Sequence, residues 1–397
     1  MTAPGAPARL LVVDDVEVNR DLLMRRLTQQ GHEVEMAANG REALDVLRSG
    51  KAFDLVLLDV MMPELDGYQV LEALRADATL RSLPVIMVSA VNEVESVVRC
   101  LEAGAEDYLS KPFNPALLRA RVGSTLEKKR LRDVERLHAK NLERELEIGR
   151  NIQKSFLPRS LPVVQGWEIA AMLRPARQVG GDFYDAFPLS GGGIGLAVGD
   201  VCDKGVGAAL FVALVRTLLR ATAERLAANR PDDWDRVVLE PVALTSDYVV
   251  RTHAETNMFA TLFFAALDPA SGALVWLNAG HEPPYLRRAS GAVERLEPTA
   301  GAVGLMPDAI FEIARATLSP GDVLLAFTDG VTEARDPEGL LFGSGRLDAL
   351  VGNGAAAPDL VSAIAAAVDA HARGADPADD IALLAVRRTL PQDRDTP

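Results

Sequence analysis

Three unbroken aliphatic runs, at residues 10–13 (LLVV), 55–58 (LVLL) and 85–88 (VIMV), limit the folds open to this chain more than any other feature. A strand with one face in water alternates apolar and polar residues, whereas a run without alternation is buried on both faces, as in a parallel sheet covered by helices. The segments 20–29, 42–48 and 69–75 have helical spacing. The order is βαβα, which predicts a doubly wound parallel α/β sheet. In such sheets ligands bind just beyond the carboxyl ends of the strands. There the sequence places Asp14 and Asp15, then Asp59, then Ser89, and later Lys111 before Pro112. Three carboxylates drawn to one sheet edge repel one another unless a hard cation such as Mg2+ sits among them.

With their neighbours, Val13-Asp14-Asp15, Leu58-Asp59, Val88-Ser89-Ala90 and Tyr108-Leu109-Ser110-Lys111-Pro112-Phe113 resemble a response-regulator receiver domain across the whole segment. The resemblance implies that Asp59 accepts a phosphoryl group from a histidine kinase. It implies Mg2+ held by Asp15, Asp59 and the backbone carbonyl of Met61, with Asp14 assisting. Lys111 and Ser89 would contact the phosphoryl oxygens, and Tyr108 would move with Ser89 on switching. Phosphorylation adds charge and acceptor oxygens at one point, to which a two-state element elsewhere responds.

At 397 residues the chain is too long for one ordinary core, and two to three domains are expected. The formal charge of −14 weighs against a nucleic-acid partner, since such binding rests on Lys and Arg against phosphate. The charge is uneven: residues 1–123 carry 13 Lys/Arg against 19 Asp/Glu, residues 124–160 carry 10 against 6, and residues 161–397 carry 19 against 31. Two acidic blocks flank a basic middle, hence three parts: 8–122, 123–157 and 158–390. No uncharged apolar stretch approaches the ~18 residues of a bilayer span. Residues 1–8 lack the basic start and apolar centre of a signal peptide. Cys100 and Cys202 are too few for a disulfide framework. A cytoplasmic protein with no membrane partner is the expectation.

No proline or glycine interrupts residues 124–148, where Leu126, Leu131, Val134, Leu137, Leu142, Leu146 and Ile148 recur mostly at spacings of three to five and predict a long helix. His138, Asn141 and Glu145 break a strict heptad. The segment therefore reads either as a solvated connecting helix or as an imperfect two-stranded coiled coil that makes a homodimer and relays a signal. Gly149 and the Phe156-Leu157-Pro158 exit are the expected stops.

In the third part, segments 167–173, 193–199, 258–267, 273–279, 293–296, 323–328 and 381–387 read as strands, and 207–229, 234–253 and 359–373 as helices. Turn signals at 269–272 and 289–291 favour antiparallel pairing, giving a layered α+β domain. Carboxylates cluster at strand ends: Asp182 in Gly180-Gly181-Asp182-Phe183-Tyr184-Asp185, Asp200 in Gly199-Asp200-Val201-Cys202-Asp203-Lys204-Gly205, Asp329 in Thr328-Asp329-Gly330, and Asp379-Asp380. Oxygen ligands suit Mg2+ or Mn2+, and two such ions can clamp an in-line phosphoryl displacement.

The stretches Arg174-Pro175-Ala176-Arg177-Gln178-Val179-Gly180-Gly181-Asp182-Phe183-Tyr184-Asp185, Asn278-Ala279-Gly280-His281 and Phe327-Thr328-Asp329-Gly330-Val331-Thr332-Glu333 resemble the PPM-type serine/threonine phosphatases, in particular their bacterial SpoIIE/RsbU-like branch. The resemblance implies two Mn2+ or Mg2+ bridged by Asp200, with Asp182, Asp329, Asp379 and the Val201 carbonyl as further ligands, and attack on phosphorus by activated water without a phospho-enzyme. Arg177 would hold substrate phosphate. Asp203, Asp380 and His281 are secondary candidates: Asp203 stands where the bacterial branch often has glycine, and His281 is either a catalytic acid or a residue that fixes its loop. Cys202 replaces a histidine that eukaryotic members carry as general acid. The branch further implies a phosphorylated anti-sigma-factor antagonist as protein substrate. A pseudo-phosphatase that sequesters its partner under receiver control remains the alternative.

Overall fold

The computed structural model describes residues 7–90, 94–230, 233–253, 255 and 257–390; most of the N-terminal segment 1–8 thus lies outside the described residues. The chain divides into two compact units, Met1–Leu142 and Glu143–Pro397.

The first unit runs β1 (Arg9–Val13), α1 (Glu17–Gln29), β2 (Glu33–Ala37), α2 (Gly40–Arg48), β3 (Leu55–Asp59), α3 (Gly67–Ala76), β4 (Val85–Ser89), α4 (Val94–Glu102), β5 (Asp107–Ser110) and then into α5 (Pro115–Phe156). The five strands form one parallel sheet in the order β2-β1-β3-β4-β5. The aliphatic runs are its three central strands, and their alternate residues serve opposite faces. Leu11, Val13, Val56, Leu58, Val85 and Met87 enter one core. Leu10, Val12, Leu55, Leu57, Ile86 and Val88 enter the other. Helix starts are fixed by side chains: Asn39 accepts from the Glu42 amide, and Asp66 and Gln69 form a reciprocal capping box.

Helix α5 is continuous for 42 residues. Leu118 and Val122 of its first turns are buried in the sheet's second core. Farther along, Leu131, Val134, Leu137, Leu142, Ile148 and Ile152 are exposed. Gly149 does not end the helix, contrary to the expectation from sequence. A glycine in a helix interior costs about 1 kcal/mol relative to alanine, which the surrounding turns absorb, and the helix stops just before Leu157-Pro158.

The second unit comprises β6 (Trp167–Arg174), β7 (Asp182–Pro188), β8 (Ile194–Val201), α6 (Val206–Asn229), α7 (Trp234–His253), β9 (Ala260–Leu267), β10 (Ala273–Ala279), β11 (Tyr285–Arg287), β12 (Val293–Arg295), β13 (Ala314–Thr317), β14 (Val323–Phe327), α8 (Ser344–Gly352), α9 (Ala357–Ala372) and β15 (Ile381–Arg388). Two five-stranded antiparallel sheets, ordered β13-β10-β9-β8-β7 and β12-β11-β14-β15-β6, stack face to face. Alternation again sorts the side chains. Leu196, Val198, Phe263 and Ala265 face the opposing sheet, while Ala197, Val201, Leu262 and Phe264 face α6 and α7. On the far side Leu325, Phe327, Leu383 and Ala385 pack against α8 and α9. The result is four layers, helix-sheet-sheet-helix. Helix α6 is long and apolar enough for a bilayer span by length and hydropathy, yet Ala208, Val212, Val215 and Leu219 are the residues that cover the sheet. Strands β7, β11 and β13 and helix α8 were not anticipated: β11 and β13 are three or four residues long, too short for a period to show.

Candidate functional site

Two acidic sites lie at strand ends, one in each unit. In the first, Asp14 and Asp15 follow β1 and Asp59 ends β3, so the parallel sheet brings all three to its carboxyl edge. Their nearest oxygens lie within 4.8 Å of one another. Lys111, between β5 and a cis Pro112, places its Nζ 2.7 Å from Asp14 Oδ2 and 2.8 Å from Asp59 Oδ2. Burial pushes the Asp59 carboxyl above its usual range; the Lys111 bond works against this and the Asp14 charge adds to it. Burial alone would lower Lys111, but its two carboxylate partners hold it above the ordinary lysine value. Asp14 is fixed by its other oxygen, which accepts from the Val16 amide and Asn19 Nδ2. Ser89 and Tyr108 are buried on the neighbouring strands, whereas the Met61 side chain is 70% exposed, leaving only its backbone beside Asp59. Three carboxylates drawn together, two of them on one lysine and with Asp59 pushed toward its neutral form, suit a hard divalent cation.

In the second unit Asp182 and Asp200 face each other directly across the β7–β8 pair. Asp329 lies just past β14 and Asp379 just before β15, strands that pair antiparallel. The two sheets meet at this end through Asp380, which accepts from the amides of Ala176 and Gly181 at 2.6 Å each. Asp380 thereby spends both oxygens on backbone and acts as a clamp on the loop before Asp182. Gly180 and Gly181 are required by close approach: a Cβ on Gly180 would lie 2.3 Å from Asp380 Oδ2, and one on Gly181 2.7 Å from the Val201 carbonyl.

Crowding shows in the proton affinities. Burial, then the Asp200 charge, raises Asp182 well above the usual carboxylate range. Burial raises Asp200 to about 6, with Asp329, Asp379 and Asp380 adding to it. Burial and then Asp379 raise Asp329 to about 6. Asp182 Oδ2 is buried with no hydrogen-bond partner. An orphaned buried oxygen among crowded, partly desolvated carboxylates is what a divalent cation relieves, so the donor set fits Mg2+ or Mn2+. Among the described residues, only the Asp14-Asp15-Asp59 group draws three carboxylates within 4.8 Å; the second set is more open. Lys204, to which the sequence reading gave no role, pairs with Asp379 Oδ2 at 2.8 Å.

The remaining candidates divide. Arg177 is exposed and makes no ion pair among the described residues; its charge reaches Lys204. Asp203 is also exposed, caps the Lys204 amide with its own side chain, and has a left-handed φ of 83°. His281 is turned inward: Nδ1 lies 2.8 Å from Thr261 Oγ1, its amide donates to Asn278 Oδ1, and burial lowers its pKa to about 4. These bonds tie the ring to Thr261 and the backbone of His281 to Asn278, and burial disfavours the charged ring. Cys202 Sγ accepts from the Phe259 amide at 3.1 Å. Asp185, in the same motif as Asp182, points to α6, where Arg216 at 2.8 Å and Arg220 at 3.5 Å pair with it. Gln153 was not singled out from sequence; its side chain is buried against Gly180.

Comparison with known proteins agrees with both halves. The sequence profile of Stage II sporulation protein E (SpoIIE) matches residues 190–389, and that of the response regulator receiver domain matches residues 10–123. Protein IcfG of Synechocystis sp. is 42% identical over 262 residues, 62% of this chain and 41% of that protein. Response regulator MprA of Mycolicibacterium vanbaalenii is 47% identical over 120 residues, 30% of this chain and 51% of that protein. The chain thus spans about half or less of the length of these relatives. The SiaA-PP2C domain of Pseudomonas aeruginosa superposes with a TM-score of 0.52 at 22% identity, covering 63% of this chain and 98% of that one, and so shares the fold. Domains of this kind are in general metal-dependent serine/threonine phosphatases. The chain belongs to the Stage II sporulation protein E (SpoIIE) family, and it carries a response-regulator receiver domain ahead of that phosphatase fold.

Proposed function

We propose that this chain is a two-component output protein that removes phosphate from serine or threonine of another protein, gated by phosphorylation of Asp59. The observation that carries the reading is the group Asp182, Asp200, Asp329 and Asp379, drawn from both sheets to one end of the sandwich, where burial and neighbouring carboxylate charge raise the pKa of Asp182, Asp200 and Asp329. Two Mn2+ or Mg2+ ions held there would supply the charge that activates water and draws electron density from the phosphoryl oxygens. Asp182, Asp200, Asp329, Asp379 and the Val201 carbonyl would hold these ions. Arg177, exposed and unpaired among the described residues, holds the substrate phosphate. Cys202 is tied to the Phe259 amide, which leaves the leaving-group proton to solvent.

In the receiver, Asp59 accepts the phosphoryl group from a histidine kinase, with Mg2+ held by Asp15, Asp59 and the Met61 carbonyl, and Asp14 assisting. Lys111, already 2.8 Å from Asp59, pairs with the added oxygens together with Ser89, and Tyr108 follows. The exposed apolar residues of α5 support a homodimer through that helix, and phosphorylation activates by shifting the helix pair. The substrate is a phosphorylated anti-sigma-factor antagonist, an assignment that rests on the SpoIIE/RsbU-like resemblance. The compartment is the cytoplasm, where Cys100 and Cys202 stay reduced.

The test is the rate of phosphate release from a phosphoserine protein with Mn2+, with and without acetyl phosphate, for wild type, Asp59→Ala and Asp329→Ala. The expected result is a rate that rises with acetyl phosphate in wild type, ignores it in Asp59→Ala and vanishes in Asp329→Ala. A metal-loaded wild type that turns over no phosphoserine protein sinks the enzymatic reading and leaves sequestration of a partner in its place.

A further inference from the structure

The segment that leads into Asp182 is held from two sides. Asp380 grips the amides of Ala176 and Gly181. From the other side comes Gln153, within the last turn of α5: its Nε2 donates to the Gly180 carbonyl at 2.6 Å, and its Oε1 accepts from the Gly180 amide at 3.2 Å. One carboxamide thus satisfies both polar groups of a single buried residue two positions before Asp182. Around it α5 reverses the ordinary preference of burial, with Gln153 7% exposed and Ile152 51% exposed. A glutamine buried in place of the adjacent isoleucine is there for its hydrogen bonds, not for apolar packing. One turn back, Gly149 faces Val179, whose Cγ1 would be 3.6 Å from an added Cβ. On another side of the helix end a cleft of about 400 Å³ lies between residues 155–159 and Arg216, Thr217 and Arg220 of α6. The end of α5 is therefore hydrogen-bonded on the side of the Asp182 loop and borders a cleft on the side of α6.

We propose that Gln153 is a positioning residue for the metal centre: its two-point grip on Gly180 fixes the start of β7, so that Asp182 faces Asp200 only while the last turns of α5 keep their place. The inference rests on reading residues 158–390 as a metal-dependent phosphatase. Hydrogen bonds weaken steeply outside a narrow range of distance and angle, and turning a helix by one residue swings a side chain through about 100°. A small displacement of the helix end therefore releases Gly180 as a discrete event. The loop is then held only by Asp380 and by the Val201 amide, which donates to the Gly181 carbonyl at 3.1 Å. Gln153 is the point at which movement of α5 reaches the candidate ligands.

The test uses the full metal-free chain with Gln153→Met, which keeps the length and loses the amide, and Gln153→Glu, which keeps the acceptor and loses the donor. Two quantities are read: hydrogen–deuterium exchange of the peptide covering residues 180–182, and Mn2+ affinity by calorimetric titration. Exchange is expected to quicken at least tenfold and Mn2+ affinity to fall at least tenfold, with kcat restored at saturating Mn2+. Circular dichroism identical to wild type identifies a folded variant; if Gln153→Met fails that check, Gln153→Glu carries the measurement. Folded variants with wild-type exchange and affinity overturn the proposal. So does a kcat that saturating Mn2+ does not restore, since that marks general damage rather than lost positioning. A wild-type chain that binds no Mn2+ overturns the phosphatase reading, and the inference with it; the exchange data then show separately whether Gln153 holds the loop.

Discussion

Asp203 has the left-handed φ of 83° in the turn that links Asp200 to α6, and it is exposed. For a residue with a Cβ that conformation costs roughly 1–2 kcal/mol, and glycine adopts it freely. Its one local compensation is an exposed hydrogen bond to the Lys204 amide. Asp203→Gly is therefore expected to raise unfolding stability by about 1 kcal/mol with little change in phosphatase rate, read from chemical denaturation and turnover of the purified variant. A loss of activity would instead give the Asp203 carboxylate a place in the metal site. The spacing of the motif located this turn, but a φ angle is a property of the folded path.

For the elements, periodicity predicts best where an element is long and buried on a consistent face. The central strands of the first sheet and helices α6 and α7 follow from runs and spacings because each residue's burial depends on its own period. Helix α5 shows where this fails. Its spacing gives a helix, but Gly149 reads as a stop, although a single interior glycine costs only about 1 kcal/mol and the neighbouring turns offset it. The exposed Leu131 and Leu142 bear on the dimer. Replacing both with Asp puts charge on the proposed apolar seam. The expected outcome is a monomer by sedimentation and a phosphatase rate that no longer responds to acetyl phosphate, while basal turnover persists. A double variant that stays dimeric and regulated rejects α5 as the dimer element.

For the whole molecule, the candidate metal centre ties the two sheets together, and this has a consequence for stability. Asp200 and Asp329 are raised to about 6 in the folded chain, above the ordinary carboxylate range near 4. Between about pH 4 and 6 the folded state binds more protons at these sites than the unfolded state. Their contribution to stability is thus most favourable below that window and falls as pH rises through it. Metal binding removes the penalty only where the carboxylates are ionised. Mn2+ is therefore expected to raise Tm by several degrees at pH 7.5 and by much less at pH 5. A saturation of 100 times Kd is worth about 2.7 kcal/mol. His281, lowered to about 4, works in the opposite direction, because it must be charged on acid unfolding; that contribution is present with and without Mn2+ and cancels in the difference. An equal Tm shift at both pH values would show that Mn2+ binds elsewhere.

The sequence by itself determined the chemistry and where along the chain it lies: carboxylates at strand ends and Lys111 before its proline. These are local facts, since a residue type and its place in a 2.0 or 3.6 period can be read without knowing what lies opposite. Only the tertiary structure decided how neighbouring candidates divide the work. Asp379 and Asp380 are adjacent and chemically identical, yet Asp380 is consumed by amides 204 and 199 residues away, whereas Asp379 is left for Lys204, 175 residues away. His281 is tied to Thr261, and Gln153 to Gly180, 27 residues on. Hydrogen-bond partners are chosen by which groups desolvation forces together, and that choice follows from the packing of four layers and not from any window of sequence.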